Sequence, residues 1–498
     1  MELIRNRPAP AGESAPGVER HEAEAVNSPS RRELYHKREP IYPKLVKGKF
    51  RSTKWVFMIL ALGAYYLIPF IRWDRGPGAP DQAVLVDFAN TRFYFFFIEL
   101  WPQEVFYITG LLILAALILF LVTALFGRVW CGYACPQTVW TDLFIAVERL
   151  FEGDRNKRIK LDRAPWSVDK AWRKIGKHGV WLLIAAATGG AWILYFHDAF
   201  DLLHDFFTFQ APLTSYIFFG VLTFTTYTLA GTMREQVCTY MCPWPRIQAA
   251  LTDEEALNVT YRVDRGEPRG PHKKNESWEG RGDCIDCKAC VAACPMGIDI
   301  REGAQLECIG CALCIDACDE IMVKVNRPKG LIAYDTDLNI ERRMKGEKSR
   351  FNFVRPRVVL YAALIVGVAG LMVFGLANRS ELELSSGRDR NPNYVTLSDG
   401  TVRNGYTITV LNKANEARTL EVSAQSDPLM GMRIIGADPD SPARVTVGPD
   451  MTQDYRVFLS LPEAGVDGPS QPVRFTVTDL ETGETAESVS VFQTGASR

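Results

Sequence analysis

Cys284-Ile-Asp-Cys287-Lys-Ala-Cys290-Val-Ala-Ala-Cys294-Pro295 is followed, after Met296 to Glu307, by Cys308-Ile-Gly-Cys311-Ala-Leu-Cys314-Ile-Asp-Ala-Cys318. These two runs decide how the middle of the chain is read. Each has three cysteines at x2 spacing and a fourth at x3, which is the bacterial ligand pattern for a four-iron cubane. The first three cysteines of a run wrap one cube, and the fourth reaches the cube of the other run. One ligand set is therefore Cys284, Cys287, Cys290 and Cys318; the other is Cys308, Cys311, Cys314 and Cys294. The short intervening stretch predicts one compact two-cluster ferredoxin-like unit of α+β type. Asp319 follows Cys318 where a proline is usual, which leaves the ligand set intact. Tetrahedral zinc also takes four cysteines, but its sites pair two C-x2-C halves across a loop and fit three successive x2 spacings poorly.

Working outward, the chain has 12 cysteines, and the remaining four form two related elements. Arg128-Val-Trp-Cys131-Gly-Tyr-Ala-Cys135-Pro-Gln137 and Cys238-Thr-Tyr-Met-Cys242-Pro-Trp244 each follow an apolar stretch. If the helix continues through each pair, i, i+4 spacing puts both sulfurs on one face, with the proline ending or kinking it. Two such pairs at one depth converge into a four-thiolate site, the candidate catalytic and metal centre. Soft thiolates select Cu(I), zinc or an iron–sulfur cluster, and a cysteine pair also cycles between dithiol and disulfide. Met233 and Met241 lie nearby and suit copper. The bland alternative is four small buried hydrophobes at helix ends.

The 498 residues carry a formal charge of −1, so bulk electrostatics names no partner. Dense apolar blocks alternate with charged segments, as in a membrane protein with soluble parts. Five blocks, near 55–72, 105–127, 179–196, 211–231 and 358–376, are about long enough to cross a ~30 Å hydrocarbon core. Trp55, Trp73, Trp101, Trp181 and Trp192 fall near their ends, where indoles favour the interface. Segments 31–54, 150–178 and 341–357 are rich in Lys and Arg, whereas 73–104 and 197–216 are acidic. The two groups alternate as a five-span topology with an inner N-terminus and an outer C-terminus demands. All twelve thiols then lie on the inner, reducing side. The first apolar block begins near Trp55 after a long polar tail, so no secretory signal peptide is expected. Gln137 to Phe151 has apolar residues at helical spacing and reads as an amphipathic helix, either along the inner surface or as a connector in the bundle.

After residue 380 the pattern changes to short alternating runs, among them Tyr406-Thr-Ile-Thr-Val-Leu, Tyr455-Arg-Val-Phe-Leu and Val473-Arg-Phe-Thr-Val. These predict an all-β immunoglobulin-like sandwich. The predicted domains are a tail over 1–54 whose first thirty residues are largely disordered, and a four-span region over 55–250. A ferredoxin-like domain over 251–350, a fifth transmembrane helix over 351–378 and a periplasmic sandwich over 379–498 follow. His197 and His204, beside Asp198, Asp201 and Asp205, form a minor candidate metal site or simply a solvated helix end. No phosphate loop, dinucleotide fingerprint or Ser-His-Asp constellation stands out, and no nucleic-acid partner is expected.

The paired Cys-x3-Cys-Pro elements, the two-cluster insert, the last span and the β-domain together resemble the cytochrome oxidase accessory proteins called CcoG, FixG or RdxA. The Cys-x3-Cys-Pro elements are also similar to membrane ferredoxins of nitrate and nitrous-oxide respiration. The first resemblance implies two 4Fe-4S clusters in the bacterial cytoplasmic membrane. It also implies a role in maturing a cbb(3)-type cytochrome c oxidase by reducing Cu(II) to Cu(I) for insertion. Oxidase subunits or copper chaperones would dock on the outer β-domain, and an unidentified cytoplasmic donor would supply electrons. Two alternatives stay open: an electron-transfer subunit between quinol and ferredoxin-type partners, and a non-redox assembly scaffold.

Overall fold

The computed structural model describes residues 18–27, 39–76, 79–272, 276–414, 416–426, 430–437, 443–462 and 468–494. Two compact units emerge, Met1–Ile71 with Gln82–Met372, and Arg72–Asp81 with Val373–Arg498.

The first unit opens with α1 (Lys49–Leu67), a three-stranded sheet of β1 (Val84–Asp87), β2 (Arg92–Phe95) and β3 (Ile98–Leu100), and α2 (Phe106–Phe126). Next come α3 (Val129–Tyr133), α4 (Pro136–Glu152), α5 (Arg155–Arg163), α6 (Val168–Ile193), α7 (Ala199–Phe207) and α8 (Leu213–Thr226). The last of these continues as a π-helical segment, Tyr227–Met233, and a second π segment, Val237–Met241, precedes α9 (Trp244–Leu251). Four helices among the described residues are long and apolar enough to cross a membrane: Lys49–Phe70, Pro102–Phe126, Leu213–Met233 and Pro356–Ala377. The second and fourth bury almost none of their apolar surface inside the protein, the condition expected of helices that face lipid.

The third expected span differs. Its block lies in α6, whose first turns carry Lys170, Arg173, Lys174 and Lys177. This helix is packed by its neighbours rather than uniformly apolar. A Cβ on Gly189 would sit 2.8 Å from the Phe219 carbonyl oxygen of α8, so the two backbones nearly touch. Trp181, expected at an interface, is instead buried to 2% exposure against Phe144. The amphipathic helix is α4, and it acts as a connector within the bundle: Val139, Phe144 and Val147 are buried while Leu150 is exposed.

The cluster-binding segment follows β4 (Asn258–Tyr261) and α10 (Val263–Gly266) and holds α11 (Ala289–Ala293) and α12 (Leu313–Lys324). Strand β5 (Ile332–Asp335) returns to pair antiparallel with β4, closing the segment at its base. Helices α13 (Asp337–Met344) and α14 (Pro356–Ala377) complete the unit. Much of the first thirty residues lies outside the described residues, but residues 18–27 are an extended strap on this segment. The His21 N–H donates to the Cys287 carbonyl at 3.0 Å, the Val26 N–H to Gly297 at 2.8 Å, and Val18 and Ala23 are buried. The polar composition that suggested disorder is compatible with order here because the strap's backbone donors are satisfied by the cluster loops.

The second unit is a two-sheet antiparallel sandwich. One sheet runs β10 (Gly431–Ile434), β12 (Met451–Leu461), β8 (Val402–Asn412) and β6 (Leu382–Arg388), with β7 (Val395–Thr396) on β8. The other runs β11 (Arg444–Val447), β9 (Arg418–Gln425), β13 (Ser470–Asp479) and β14 (Thr485–Gln493). Inward residues alternate along each strand, as a half-buried sheet requires, and Tyr406, Ile408, Val410, Val473, Phe475 and Val477 are fully buried. Strand β6 escaped the sequence reading because its Ser-Ser-Gly centre looks like a turn. The Phe475 and Tyr406 rings meet at 5.0 Å across the two sheets. Phe475→Ala is expected to cost about 3–5 kcal/mol, read as a lower denaturation midpoint of the β-sheet signal.

Candidate functional site

The two cysteine runs fold as near-copies. Asp286 and Lys288 flank Cys287 with φ of 52° and 55°, and Gly310 and Ala312 flank Cys311 with φ of 66° and 60°. Three of these four left-handed residues are not glycine, a strained arrangement kept where the surroundings over-determine it. Each run then enters a helix, α11 or α12. The first helix stops at Cys294, which is extended ahead of Pro295, as the residue before a proline tends to be. The second continues through Cys318 because Asp319 replaces the proline, and the Asp319 carboxylate accepts the Gly330 N–H at 2.8 Å.

Two cavities result. Cys284, Cys287, Cys290 and Cys318 line one, with Tyr261 and Arg301 beside them. Cys294, Cys308, Cys311 and Cys314 line the other, walled by apolar residues such as Val259 and Ile298, with Cys290 between the two. Cys318 thus lines the first cavity and Cys294 the second. A donor set of four cysteines around an apolar void fits a four-iron cluster. Burial raises the Cys290, Cys314 and Cys318 thiols well above their ordinary range and pushes Cys294 up to about 12. Thiolates in these pockets therefore need a bound cation to stabilise them. At the first set, Arg301 is 5% exposed and pairs with Asp299 and Asp286 at 2.6 Å.

The Cys-x3-Cys-Pro pairs are built differently from the expected continuous helices. Helix α2 ends at Gly127, Cys131 sits in the short α3, and Cys135 is the extended N-cap of α4 ahead of Pro136. Cys238 sits in the second π segment, and Cys242 is its extended C-cap ahead of Pro243. In both elements the proline forces the preceding cysteine out of the helix, so the shared geometry is a kinked turn. The Gln137 amide donates to the Leu229 carbonyl at 2.9 Å and to Arg234 at 3.3 Å, tying the first element to the second. Burial, then the neighbouring cysteines, pushes Cys131 and Cys238 up to about 12; Cys135 and Cys242 are among the neighbours acting on each. The Cys131 thiol donates to Gln248 Oε1 at 3.3 Å. Among the described residues no three His, Cys, Asp or Glu side chains are close enough to hold a single metal ion. The four thiols are gathered into one neighbourhood but not drawn around one point.

This quartet is packed onto the second cluster cavity. A Cβ on Gly132 would lie 2.8 Å from Cys311 Cα and 2.9 Å from its nitrogen. The Tyr133 hydroxyl donates to the Cys311 carbonyl at 3.3 Å, and the Tyr334 hydroxyl to Gly310 at 2.7 Å. Arg128 donates to the carbonyls of Gln305, Leu306 and Cys308 and, through its other nitrogen, to Pro245. Cys238 shares a small cavity with Pro295, Met296 and Ile309. Both pairs therefore meet the loops of the Cys294, Cys308, Cys311 and Cys314 set, while the strap reaches Cys287 of the other set and Gly297 after Cys294. Sequence reasoning missed Arg128, Gly132 and Gln248. Arg128 and Gly132 stood inside the quoted motif but had no partner visible in one dimension.

His197 and His204 are not brought into a site. Both are exposed, His204 meets only the adjacent Asp205 at 3.3 Å, and Asp198 is spent capping α7.

The nitrogen fixation protein FixG of Rhizobium meliloti is 51% identical over 477 residues, covering 90% of this chain and 91% of that one. The chain belongs to the FixG family. Protein RdxB of Cereibacter sphaeroides is 50% identical, covering 92% of this chain and 97% of its own, and protein RdxA of the same organism is 48% identical, covering 90% and 93%. The family model for the IG-like fold at the C-terminus of FixG matches residues 372–495. A 4Fe-4S dicluster domain model matches 233–337, taking in the octet with Cys238 and Cys242, and a 4Fe-4S binding domain model matches 108–158, which holds Cys131 and Cys135. This FixG-family chain is a membrane iron–sulfur redox protein.

Gly132→Ala is expected to cost about 1–3 kcal/mol by overpacking and to lower the thermal midpoint. Gly179→Ala, whose added methyl would meet nothing within 4 Å, is the neutral control. Stripping iron with a chelator is expected to release the strap, whose Arg20 pairs with Asp286 at 3.1 Å. The readout is faster tryptic cleavage after Arg20, followed by mass spectrometry.

Proposed function

We propose that the protein reduces Cu(II) to Cu(I) at the Cys131, Cys135, Cys238 and Cys242 quartet, during maturation of a cbb(3)-type cytochrome c oxidase. The observation that carries this reading is the seating of the quartet directly on the loops of one cluster cavity, Gly132 against Cys311. Each Cu(II) ion takes up one electron, and a low-potential one-electron donor in the cytoplasm loses one. When bound, the 4Fe-4S clusters supply one-electron storage at low potential.

The chain's own residues do the rest. Arg128 and Tyr133 fix the first thiol pair against the cavity loop, and Gln137 holds the second element at the same depth. Gln248 orients the Cys131 sulfur. Buried thiols stay protonated until a soft cation arrives, so metal capture releases protons, and soft sulfur ligands favour Cu(I) over harder ions. In this reading α6 is the fifth span, N-terminus and thiols face the cytoplasm, and the β-sandwich lies in the periplasm. There it would dock oxidase subunits or a copper chaperone. The iron–sulfur model over residues 108–158 favours a second reading, in which the quartet only conducts electrons between quinol and a ferredoxin-type partner.

Anaerobic, reduced protein should convert added Cu(II) to Cu(I). Changing Cys131 and Cys135 together to Ser is expected to slow this about a hundredfold while about eight Fe per chain remain. Undiminished reduction in that variant overturns the quartet's role. Oxidation by a quinone at equal rates with and without copper favours the second reading.

A further inference from the structure

Away from the cysteines, a cavity of about 290 Å³ opens between α4, α5, α6 and the π segment Tyr227–Met233. Its walls are densely charged. Arg158, Lys174, Lys177 and Arg234 face Glu148, Glu152 and Asp162. Glu148, Glu152 and Arg158 are 4% exposed or less in their side chains, whereas Lys174 and Asp162, at 20% and 31%, stand at the mouth. Gly231 and Thr232 place the cavity at the end of the Leu213–Met233 span, at the level where a membrane meets water.

The ion pairs do not account for all of this charge. Arg158 pairs with Glu148, and Arg234 pairs with the same carboxylate. Lys174 and Lys177 share Glu152, at 2.8 and 2.9 Å, and Lys174 also reaches Asp162 at 2.6 Å. Four cations thus meet three carboxylates, leaving one positive charge over. Arg158 Nη1 is buried and has no hydrogen-bond partner. A buried guanidinium N–H without a partner is costly, and an uncompensated buried charge more so.

We propose that this cavity binds one phosphate monoanion, which would neutralise the surplus charge. A phosphodiester carries one negative charge, and basic pockets between membrane helices at the headgroup level take anionic lipid headgroups. The lipid headgroup is therefore the expected source, and free phosphate the other. Arg234 joins this site to the thiol quartet: it lines both this cavity and the one beside Cys238, and its carbonyl accepts from Gln137.

The test uses the full chain in nanodiscs, read by native mass spectrometry after release. In discs mixing phosphatidylglycerol with phosphatidylcholine, the wild type is expected to retain one phosphatidylglycerol. Lys174→Gln is expected to weaken retention about fivefold, and Lys177→Gln similarly. Arg173→Gln removes a neighbouring cation that pairs with Asp169 outside the cavity, and should leave retention unchanged. In discs of phosphatidylcholine alone, millimolar inorganic phosphate tests the other source. Its retention in the wild type but not in Lys174→Gln supports the phosphate site and assigns it to a free ion. No preference for phosphatidylglycerol and no bound phosphate, or equal loss in Arg173→Gln and Lys174→Gln, overturns the proposal. Iron content of each variant verifies that it has folded.

Discussion

The absence of a side chain at Gly132 sets the spacing between the two chemical centres of this protein. Cys311 belongs to a cluster-binding loop and Cys131 to a thiol pair after α2, and the backbone of Gly132, next to Cys131, meets that of Cys311 where any Cβ would collide. Arg128 then locks this approach by donating to three carbonyls of the cluster loop and one of the opposite element.

The same approach explains why the thiols share one apolar core. Cys131 and Cys238 pack against the buried cluster that contains Cys284, Cys290, Cys311 and Cys318. Burial raises the Cys131, Cys238, Cys290 and Cys318 thiols and leaves metal or cluster binding to bring them to the charged form. The strap over residues 18–27 and the β4–β5 pair close the other sides of this core. Buried and half-buried charge collects on α4, α5 and α6 in a dense ion-pair network.

Much of this was legible along the chain. The x2, x2, x3 spacing marked the two cysteine runs, whose side chains line the two cavities. The alternating runs after residue 380 marked most strands of the sandwich, although Leu382–Arg388 and Gly431–Ile434 were hidden by turn-forming residues. The third span was harder. The apolar block of α6 was visible, but that one face of α6 is packed by its neighbours, with Trp181 in the core, depends on contacts between helices far apart in sequence.

The sequence by itself determined the iron–sulfur cysteine runs, the duplication of the Cys-x3-Cys-Pro element and the character of each domain. These follow from local spacing and from period, which the covalent chain fixes. Only the tertiary structure decided which cluster set meets the quartet, that each proline turns its cysteine out of a helix rather than along one face, and that four cations and three carboxylates line one cavity. Those features depend on non-local packing, where Gly132 finds Cys311 and Arg234 finds Glu148 across many residues of intervening chain.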